Sequence, residues 1–166
     1  MGGLAPLRDY VLAPDRLAAY LERIGLEDMA ADVRRGILPA ADAATLAVLQ
    51  RVHLQAVPFE CLDIAAGRVP LDLSLDGLFC KIVTDRRGGI CYEQNLLYAA
   101  VLQGLGYKVR LRAARHPKYG DDFDHIFLQV DIPEEAHPLL ADVGFAVNFS
   151  QPLRLTAGLI QDDGRN

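Results

Sequence analysis

The hydrophobic pattern of this 166-residue chain changes its period near residue 106. Before that point, apolar residues recur every three or four positions, as they do along the buried face of a helix. After it, apolar and polar residues alternate, which is typical of strands with one buried face. The length suffices for one ordinary domain, or for two small ones that share a core. The pattern therefore predicts an α+β fold, with a helical domain over residues 1–106 followed by a mostly antiparallel β domain over residues 107–166.

Residues that start helices place the individual elements. Asp15, Asp42 and Ser74 are of the N-cap type and precede apolar residues at helical spacing. We expect helices over residues 15–24, 27–35, 42–57, 74–83 and 91–105, and strands over residues 107–112, 124–132, 139–143 and 152–155. His53 lies within the third helix without an acidic residue at helical spacing, so we expect a structural or surface histidine there.

Composition and charge argue against several classes of function. Hydrophobic residues make up 51% of the chain and charged residues 23%, which is ordinary for a soluble globular protein. The net charge of −5, and the lack of a Lys/Arg cluster with interleaved aromatic residues, argue against a nucleic-acid partner. Because no apolar run reaches membrane-spanning length and no signal peptide is evident, we expect no membrane partner and a cytoplasmic location. Whether the protein is a homo-oligomer stays open.

The cysteines indicate a reducing environment. Cys61, Cys80 and Cys91 form no CxxC pair and leave an odd thiol, so a disulfide framework is not expected. The cysteines and histidines also lack the close pairing typical of metal ligands, so we expect no metal. Cys61 and Cys80 receive no catalytic role.

Cys91 is the strongest candidate for a reactive side chain. It follows two glycines in the segment Arg-Arg-Gly-Gly-Ile-Cys-Tyr-Glu-Gln-Asn (residues 86–95) and precedes an apolar helical run. The N-terminus of a helix favours negative charge, which lowers the pKa of a thiol and makes part of it a nucleophilic thiolate. A lone cysteine is more often a small buried hydrophobe. The Gly-Gly turn and the polar residues beside Cys91 favour the nucleophile here.

A nucleophilic thiol requires a base and a third group that orients the base. Among four histidines, His125 is the better candidate because it lies in a predicted strand, whereas His116 and His137 lie beside prolines in loops. Strands joined as hairpins would bring His125 next to Asp142, at the end of the third strand. The other acidic candidates stay open: Asp121, Asp122 and Asp124.

Four segments resemble, in order, the signatures of the arylamine N-acetyltransferases. They are Pro58-Phe59-Glu60, residues 86–95, Asp124-His125-Ile126 and Asp142-Val143-Gly144-Phe145. The resemblance runs from about residue 17 to about residue 155. It implies a papain-like arrangement in which Cys91, His125 and Asp142 are the catalytic residues.

The resemblance also implies a reaction. Cys91 would attack acetyl-CoA, the acyl donor, and release coenzyme A. The acetyl-cysteine would then pass its acetyl group to a small arylamine or arylhydrazine, with ping-pong kinetics. An ion pair between Glu60 and an arginine of the Gly-Gly segment, Arg87, would fix the turn that carries Cys91. The expected substrate-binding residues are Phe127, Gly144 and Phe145.

Three features depart from the family pattern. Cys61 stands where family members usually carry asparagine, and Ala146 stands where a glycine commonly follows Gly-Phe. The sequence also stops before the expected third α/β lid domain, so we expect a truncated member with an incomplete binding site. Two alternatives follow: a related amide synthase or cysteine hydrolase, which acyl-donor preference would distinguish, and a truncated non-catalytic remnant, which exposed apolar surface would favour.

Overall fold

A computed structural model describes residues 7, 10–115, 123–145 and 149–162. The helices are α1 (Pro14–Arg23), α2 (Glu27–Arg34), α3 (Ala43–Ala56), α4 (Leu62–Ala65), α5 (Leu75–Phe79) and α6 (Cys91–Gly104), and a π-helical turn (Cys80–Thr84) extends α5. The strands are β1 (Lys108–Ala114), β2 (His125–Asp131), β3 (Leu139–Ala141) and β4 (Leu153–Arg154). Helices are thus followed by an antiparallel sheet, and the predicted α+β fold is confirmed.

Two of the three predicted helix caps are present. The side chains of Asp42 and Ser74 accept the backbone N–H three residues further on, at 2.8 and 3.1 Å. Asp15 does not cap α1, since the helix begins one residue earlier with Ala13 as its N-cap residue. Pro14 explains the difference, because proline at the first helical position has its φ already set and lacks only an N–H that the helix would leave unpaired.

Two helical stretches differ from the prediction. The short helix α4 was not expected; it contains four residues and buries none of them, so the sequence carries no apolar period there. The predicted helix over residues 74–83 changes from α to π geometry at Cys80, where the Asp85 N–H donates to the Cys80 carbonyl five residues back, at 2.8 Å. The extra residue in this turn directs Lys81 towards the start of α6, where it contacts Glu93.

The sheet has the strand order β1-β2-β3-β4, with each neighbouring pair antiparallel. In the first half of β2 the predicted alternation is present: Ile126 and Leu128 are buried, whereas His125 and Phe127 are half-buried on the other face. It fails at Gln129, which is expected on the His125 face but is buried next to Val130. Leu128 lies opposite Ala141 of β3, so the start of β2 lies near the end of β3.

Helix α6 is the centre of the core. Its residues 96–102 are almost completely buried, and it packs against β1 and β2 as well as against α1 and α5. A helix that is apolar around its whole circumference belongs in a protein interior. Because both halves of the chain contribute to this core, the division into domains at residue 106 stays a prediction.

No helix in the described ranges has the length and apolar character needed to cross a bilayer. The loop predicted after β1 covers residues 116–122. Its residues His116, Asp121 and Asp122 lie outside the described residues, as does Ala146.

Candidate active site

The turn before α6 depends on a close backbone contact. A Cβ on Gly88 would lie only 1.8 Å from the carbonyl oxygen of Pro58, so no other residue fits without moving the chain. An isolated parallel β-bridge joins the same two segments, and the Glu60 N–H donates to the Gly89 carbonyl at 3.1 Å. The two glycines therefore bring residues 58–60 against the turn.

Buried Arg23 of α1 holds this turn from the core side. Its Nε donates to the Ile82 carbonyl at 3.1 Å, and its Nη2 donates to the Arg86 carbonyl at 3.3 Å. Arg86 has a φ of +54°, in the left-handed region that residues other than glycine rarely occupy. Burial lowers the pKa of Arg23, although a guanidinium stays protonated at neutral pH. No pattern in the sequence indicated this role, because an arginine in the last turn of an amphipathic helix is usually solvated.

Cys91 is the first residue of α6, and it is buried. Glu93, in the same turn, accepts the backbone N–H of Ile90 on its Oε2 at 3.0 Å and so completes the end of the helix. The other N–H groups of the first turn have no acceptor within the helix, and together with the helix dipole they favour negative charge at this end.

His125 and Asp142 are joined by a hydrogen bond of 2.6 Å between Nε2 and Oδ2. His125 opens β2 and Asp142 directly follows β3, and the antiparallel pairing of these strands brings the two side chains together. The imidazole also forms a hydrogen bond with the side chain of Cys91. Because Nε2 is bonded to Asp142, Nδ1 is the ring nitrogen that remains for a second partner.

The environment favours the protonated form of His125. Burial lowers the pKa of this histidine, but the hydrogen bonds and charges of Asp142 and Cys91 raise it more, to about 9. At neutral pH the side chain is therefore an imidazolium beside the sulfur of Cys91. A neighbouring imidazolium stabilises a thiolate.

Asp142 is held in place by buried hydrogen bonds. Its Oδ1 accepts the Asn95 side-chain amide and the Gly144 N–H, both at 2.9 Å. Asn95 also donates to the Ile126 carbonyl at 2.8 Å and accepts the Val143 N–H at 3.1 Å. A single side chain of α6 thus connects the helix to β2 and to the segment that carries Asp142.

Sequence reasoning assigned no role to Asn95 or to Gln50, which accepts the Asp142 N–H at 3.2 Å. Both residues are fully buried. The signal for Asn95 was its position one helical turn after Cys91, directly before the apolar run of α6. A buried polar residue at that spacing indicates a required hydrogen bond.

The expected substrate-binding residues have different positions. The ring of Phe145 lies 5.1 Å from the imidazole of His125 between centroids, and 40% of this residue is exposed. Phe127 is half-buried on the His125 face of β2, two residues further along the strand. Gly144 instead faces α6, because a Cβ at this position would lie 2.5 Å from the Cα of Cys91.

Six charged residues beside the turn form an ion network: Glu60, Asp63, Arg68, Lys81, Arg87 and Glu93. Arg87 contacts Glu60 at 2.8 Å and Asp63 at 3.0 Å. Lys81 contacts Asp63 and Glu93, both at 2.7 Å. Hydrogen bonds from Arg87 and then Lys81 hold the pKa of Asp63 well below its usual range.

The ion network differs from the simple buried pair that the resemblance implied. Glu60 and Arg87 are in contact, but about a third of the Arg87 side chain is exposed and Asp63 shares its guanidinium. Asp63 and Lys81 were missed. The signal for Lys81 was a cation between the apolar pairs Leu78–Phe79 and Ile82–Val83 of a helical pattern.

His53 is structural, as expected. Its Nδ1 lies 2.6 Å from the Tyr20 hydroxyl and its Nε2 lies 3.0 Å from Oε1 of Gln94. The amide nitrogen of Gln94 donates to the Gly89 carbonyl at 2.7 Å, so Oε1 accepts a proton from His53 and Nδ1 accepts the tyrosine hydroxyl. Burial lowers the pKa of His53 to about 4, and the ring is neutral at pH 7.

The alternative catalytic candidates in the described part of the chain lie on the surface. His137 and Asp124 are exposed, and so are the free thiols of Cys61 and Cys80. Within the described ranges, no group of three or more histidine, cysteine, aspartate or glutamate side chains is placed to hold a metal ion.

Comparison with known proteins identifies the family. Residues 42–165 match the family model described as N-acetyltransferase. The chain belongs to the arylamine N-acetyltransferase family. It is 38% identical over 152 residues to an arylamine N-acetyltransferase of Mycolicibacterium smegmatis, a match that covers 87% of this chain and 52% of the relative. It is 40% identical over 155 residues to that of Mycobacterium tuberculosis, covering 87% and 50%.

Solved arylamine N-acetyltransferases have the same fold over this region. The crystal structure of a Mycobacterium smegmatis variant matches with a TM-score of 0.76 at 35% identity, covering 87% of this chain and 52% of the other. A Mycobacterium marinum arylamine N-acetyltransferase solved in complex with CoA matches with a TM-score of 0.73 at 37% identity, with the same coverage. The chain therefore spans about half the length of these family members.

Proposed function

We propose that this chain carries the catalytic residues of an acetyltransferase that moves an acetyl group from acetyl-CoA to the nitrogen of an arylamine or arylhydrazine. The observation that carries the proposal is the hydrogen-bonded series from Cys91 through His125 to Asp142, built at the start of α6. Membership of the family supports the reaction class, and the relative solved with CoA supports the donor.

The first half-reaction uses the sulfur of Cys91. The thiolate attacks the thioester carbonyl of acetyl-CoA and forms a new carbon–sulfur bond. The bond to the sulfur of coenzyme A then breaks, and the departing thiolate takes the proton of the His125 imidazolium. Free coenzyme A leaves, and acetyl-Cys91 and a neutral imidazole remain.

The second half-reaction regenerates the enzyme. The amine nitrogen attacks acetyl-Cys91, and neutral His125 takes the proton that the nitrogen loses. The N-acetyl product leaves, and Cys91 returns to the thiolate beside an imidazolium. Because one site is used twice, the kinetics are ping-pong.

The surrounding residues orient these groups. Asp142 fixes the imidazole so that Nδ1 faces the sulfur. The N–H groups of Val143 and Gly144 already donate to Asn95 and Asp142, so we assign the oxyanion to the Cys91 N–H at the helix start. The ion network with Glu60 and Arg87 supports the turn. Phe145 and Phe127 line the approach of the acceptor's aromatic ring. The free thiols of the chain fit a cytoplasmic protein.

Intact mass spectrometry tests the proposal. After incubation with acetyl-CoA, the protein should gain one acetyl group, which should be absent from Cys91→Ala and be lost when an arylamine is added. Peptide mapping distinguishes Cys91 from Cys61 and Cys80, whose thiols are exposed. An adduct on Cys61 or Cys80, or no adduct at all, would contradict the acetyl-cysteine mechanism.

A further inference from the structure

The proposed reaction leaves a buried cation unused. Lys81 lies in the π-helical turn, and only 13% of its side chain is exposed. Its Nζ lies 2.7 Å from Oε1 of Glu93, 2.7 Å from Oδ2 of Asp63 and 3.7 Å from Oε1 of Glu60. One ammonium thus joins the first turn of α6 to residues 60–63. Burying a charged lysine costs free energy unless its ammonium is paired with an opposite charge.

Glu93 is the partner that connects this charge to the helical turn that carries Cys91. It lies two residues after Cys91 in the same helical turn, and its side chain is 3% exposed. Oε2 accepts a hydrogen bond from the Ile90 N–H, and Oε1 accepts one from the Lys81 ammonium at 2.7 Å. An unpaired carboxylate in this turn would oppose a second negative charge on the neighbouring sulfur.

The other cations of the ion network serve other carboxylates. Arg87 contacts Glu60 and Asp63, and Arg68 contacts Asp63. In the described part of the chain, Lys81 is the cation that contacts Glu93. Loss of Lys81 would therefore leave Glu93 buried and without a counter-ion.

Other charged and titratable groups that interact with Cys91 or with its partner histidine, in the described part of the chain, lie on β2, after β3 and on α6. His125 of β2 contacts the thiol, and Asp142 after β3 contacts His125. Tyr92 lies next in α6, and its pKa is raised by burial and by the charges of Cys91 and Asp124. Of these groups, His125 carries the positive charge, whereas Asp142 is negative and Tyr92 is neutral at pH 7. A second positive charge that cancels Glu93 is thus significant for the thiolate.

We propose that Lys81 is a positioning residue for Cys91, which acts by neutralising Glu93 and by fixing the first turn of α6 to residues 60–63. The inference rests on the proposed function, because it takes Cys91 as the nucleophile. Its test measures the thiol directly and needs neither acetyl-CoA nor an amine.

The experiment measures the rate of iodoacetamide alkylation between pH 5 and 9 in a Cys61→Ser/Cys80→Ser parent, where Cys91 is the remaining thiol. In Lys81→Met, the pH midpoint of alkylation should rise by about one unit, which gives about a tenfold lower rate at pH 6. The double variant Lys81→Met/Glu93→Gln should return the midpoint towards the parent, because both buried charges are gone. Glutamine keeps an acceptor for the Ile90 N–H.

The Glu93→Gln single variant is an independent test, because it should shift the alkylation midpoint in the opposite direction. It applies even if Lys81→Met fails to fold. Lys81 keeps Asp63 and Glu60 but loses one of its carboxylate partners, so the alkylation midpoint of this variant should fall below that of the parent. If Lys81→Met lowers only the melting temperature, or if Glu93→Gln leaves the midpoint unchanged, the positioning role is wrong while the nucleophile stands. A parent that alkylates like an ordinary thiol, with a midpoint of about 8.5, would instead overturn the proposed function and this inference with it.

Discussion

Gly144 lies directly against Cys91: a Cβ on Gly144 would come within 2.5 Å of the Cα of Cys91. The same atom would lie 3.0 Å from the Cys91 carbonyl oxygen and 2.9 Å from the side-chain nitrogen of Asn95. The first two neighbours are backbone atoms of α6, which cannot move independently of the core. The segment that carries Asp142 can therefore pack this closely against Cys91 only because residue 144 has no side chain.

Replacing this glycine should disturb both stability and reactivity. We expect Gly144→Ala to lower the free energy of unfolding by about 1–3 kcal/mol, because the added methyl group overpacks the contact. It should also slow alkylation of Cys91 at pH 6 by displacing His125. Urea denaturation and iodoacetamide kinetics measure the two effects.

Gly106→Ala is the matched control for Gly144→Ala. Gly106 has a φ of +90° and open space around its Cβ position, so alanine strains the backbone there without touching the site. This control should lose about 1 kcal/mol of stability and keep the alkylation rate of Cys91. Equal alkylation in both variants would show that the contact at residue 144 does not position the thiol.

Asn95→Ala should weaken the site by freeing Asp142. The change removes bonds to Asp142, to the Ile126 carbonyl and to the Val143 N–H, all within the core. Unpaired buried groups cost about 1–3 kcal/mol each, so we expect a large loss of stability and slower acetyl transfer. Thermal unfolding and single-turnover acetylation of Cys91 measure these losses.

Tyr98→Phe, one turn further along α6, is the control for Asn95→Ala. The Tyr98 hydroxyl is buried and has no hydrogen-bond partner among the described residues. Its removal should leave stability unchanged or raise it by about 1 kcal/mol. A destabilised Tyr98→Phe would mean that any polar loss in α6 is harmful and that Asn95 is not special.

The pKa of His125 should depend on Asp142. In the wild type, NMR titration of the ring should give a pKa of about 9. In Asp142→Asn, burial still lowers the pKa while the strongest opposing contact is weakened, so it should fall by about 1–3 units. Cys91→Ala should lower it by less, since Asp142 is the larger cause. A larger fall in Cys91→Ala than in Asp142→Asn would contradict this ordering.

His53 should make the fold sensitive to acid. Its pKa is about 4 in the folded state against about 6.5 when unfolded. Between these values the unfolded chain binds the proton and the folded chain does not. His53 therefore costs no stability above pH 6.5 and progressively more as the pH falls towards 4, up to about 3 kcal/mol.

Denaturation of the wild type and of His53→Gln at pH 7 and pH 4.5 isolates this effect. Glutamine cannot titrate, so the variant should lose less stability than the wild type over the interval. Groups other than His53 titrate in both proteins and cancel in the comparison. Parallel losses in the two proteins would show that His53 does not carry the acid sensitivity.

The sequence predicted the elements better than the contacts between them. Apolar spacing located α6 and β2 to within a residue or two, and the cap residues Asp42 and Ser74 are in place. Apolar spacing and cap residues are local patterns, which a single sequence records directly. That Cys91, His125 and Asp142 would meet was instead implied by the resemblance of the ordered motifs to a known family.

Residues that act across the fold were missed because their partners are remote in sequence. Arg23 contacts Arg86, 63 positions away, and Gln50 contacts Asp142, 92 positions away. Nothing near Arg23 or Gln50 in the chain announces such a contact. Lys81 was missed for a different reason: its position between two apolar pairs was a signal, but the π-helical turn that directs it inward has no signature in the apolar period.

The contact between Gly88 and Pro58 has a consequence for how sequences of this kind diverge. A Cβ on residue 88 would lie 1.8 Å from a backbone oxygen, so no rotamer of any side chain relieves the overlap. A substitution at residue 88 is then tolerable only together with a change in the length or path of the chain around residue 58. Although the two segments are 30 positions apart, we expect substitutions in one to be accompanied by substitutions in the other.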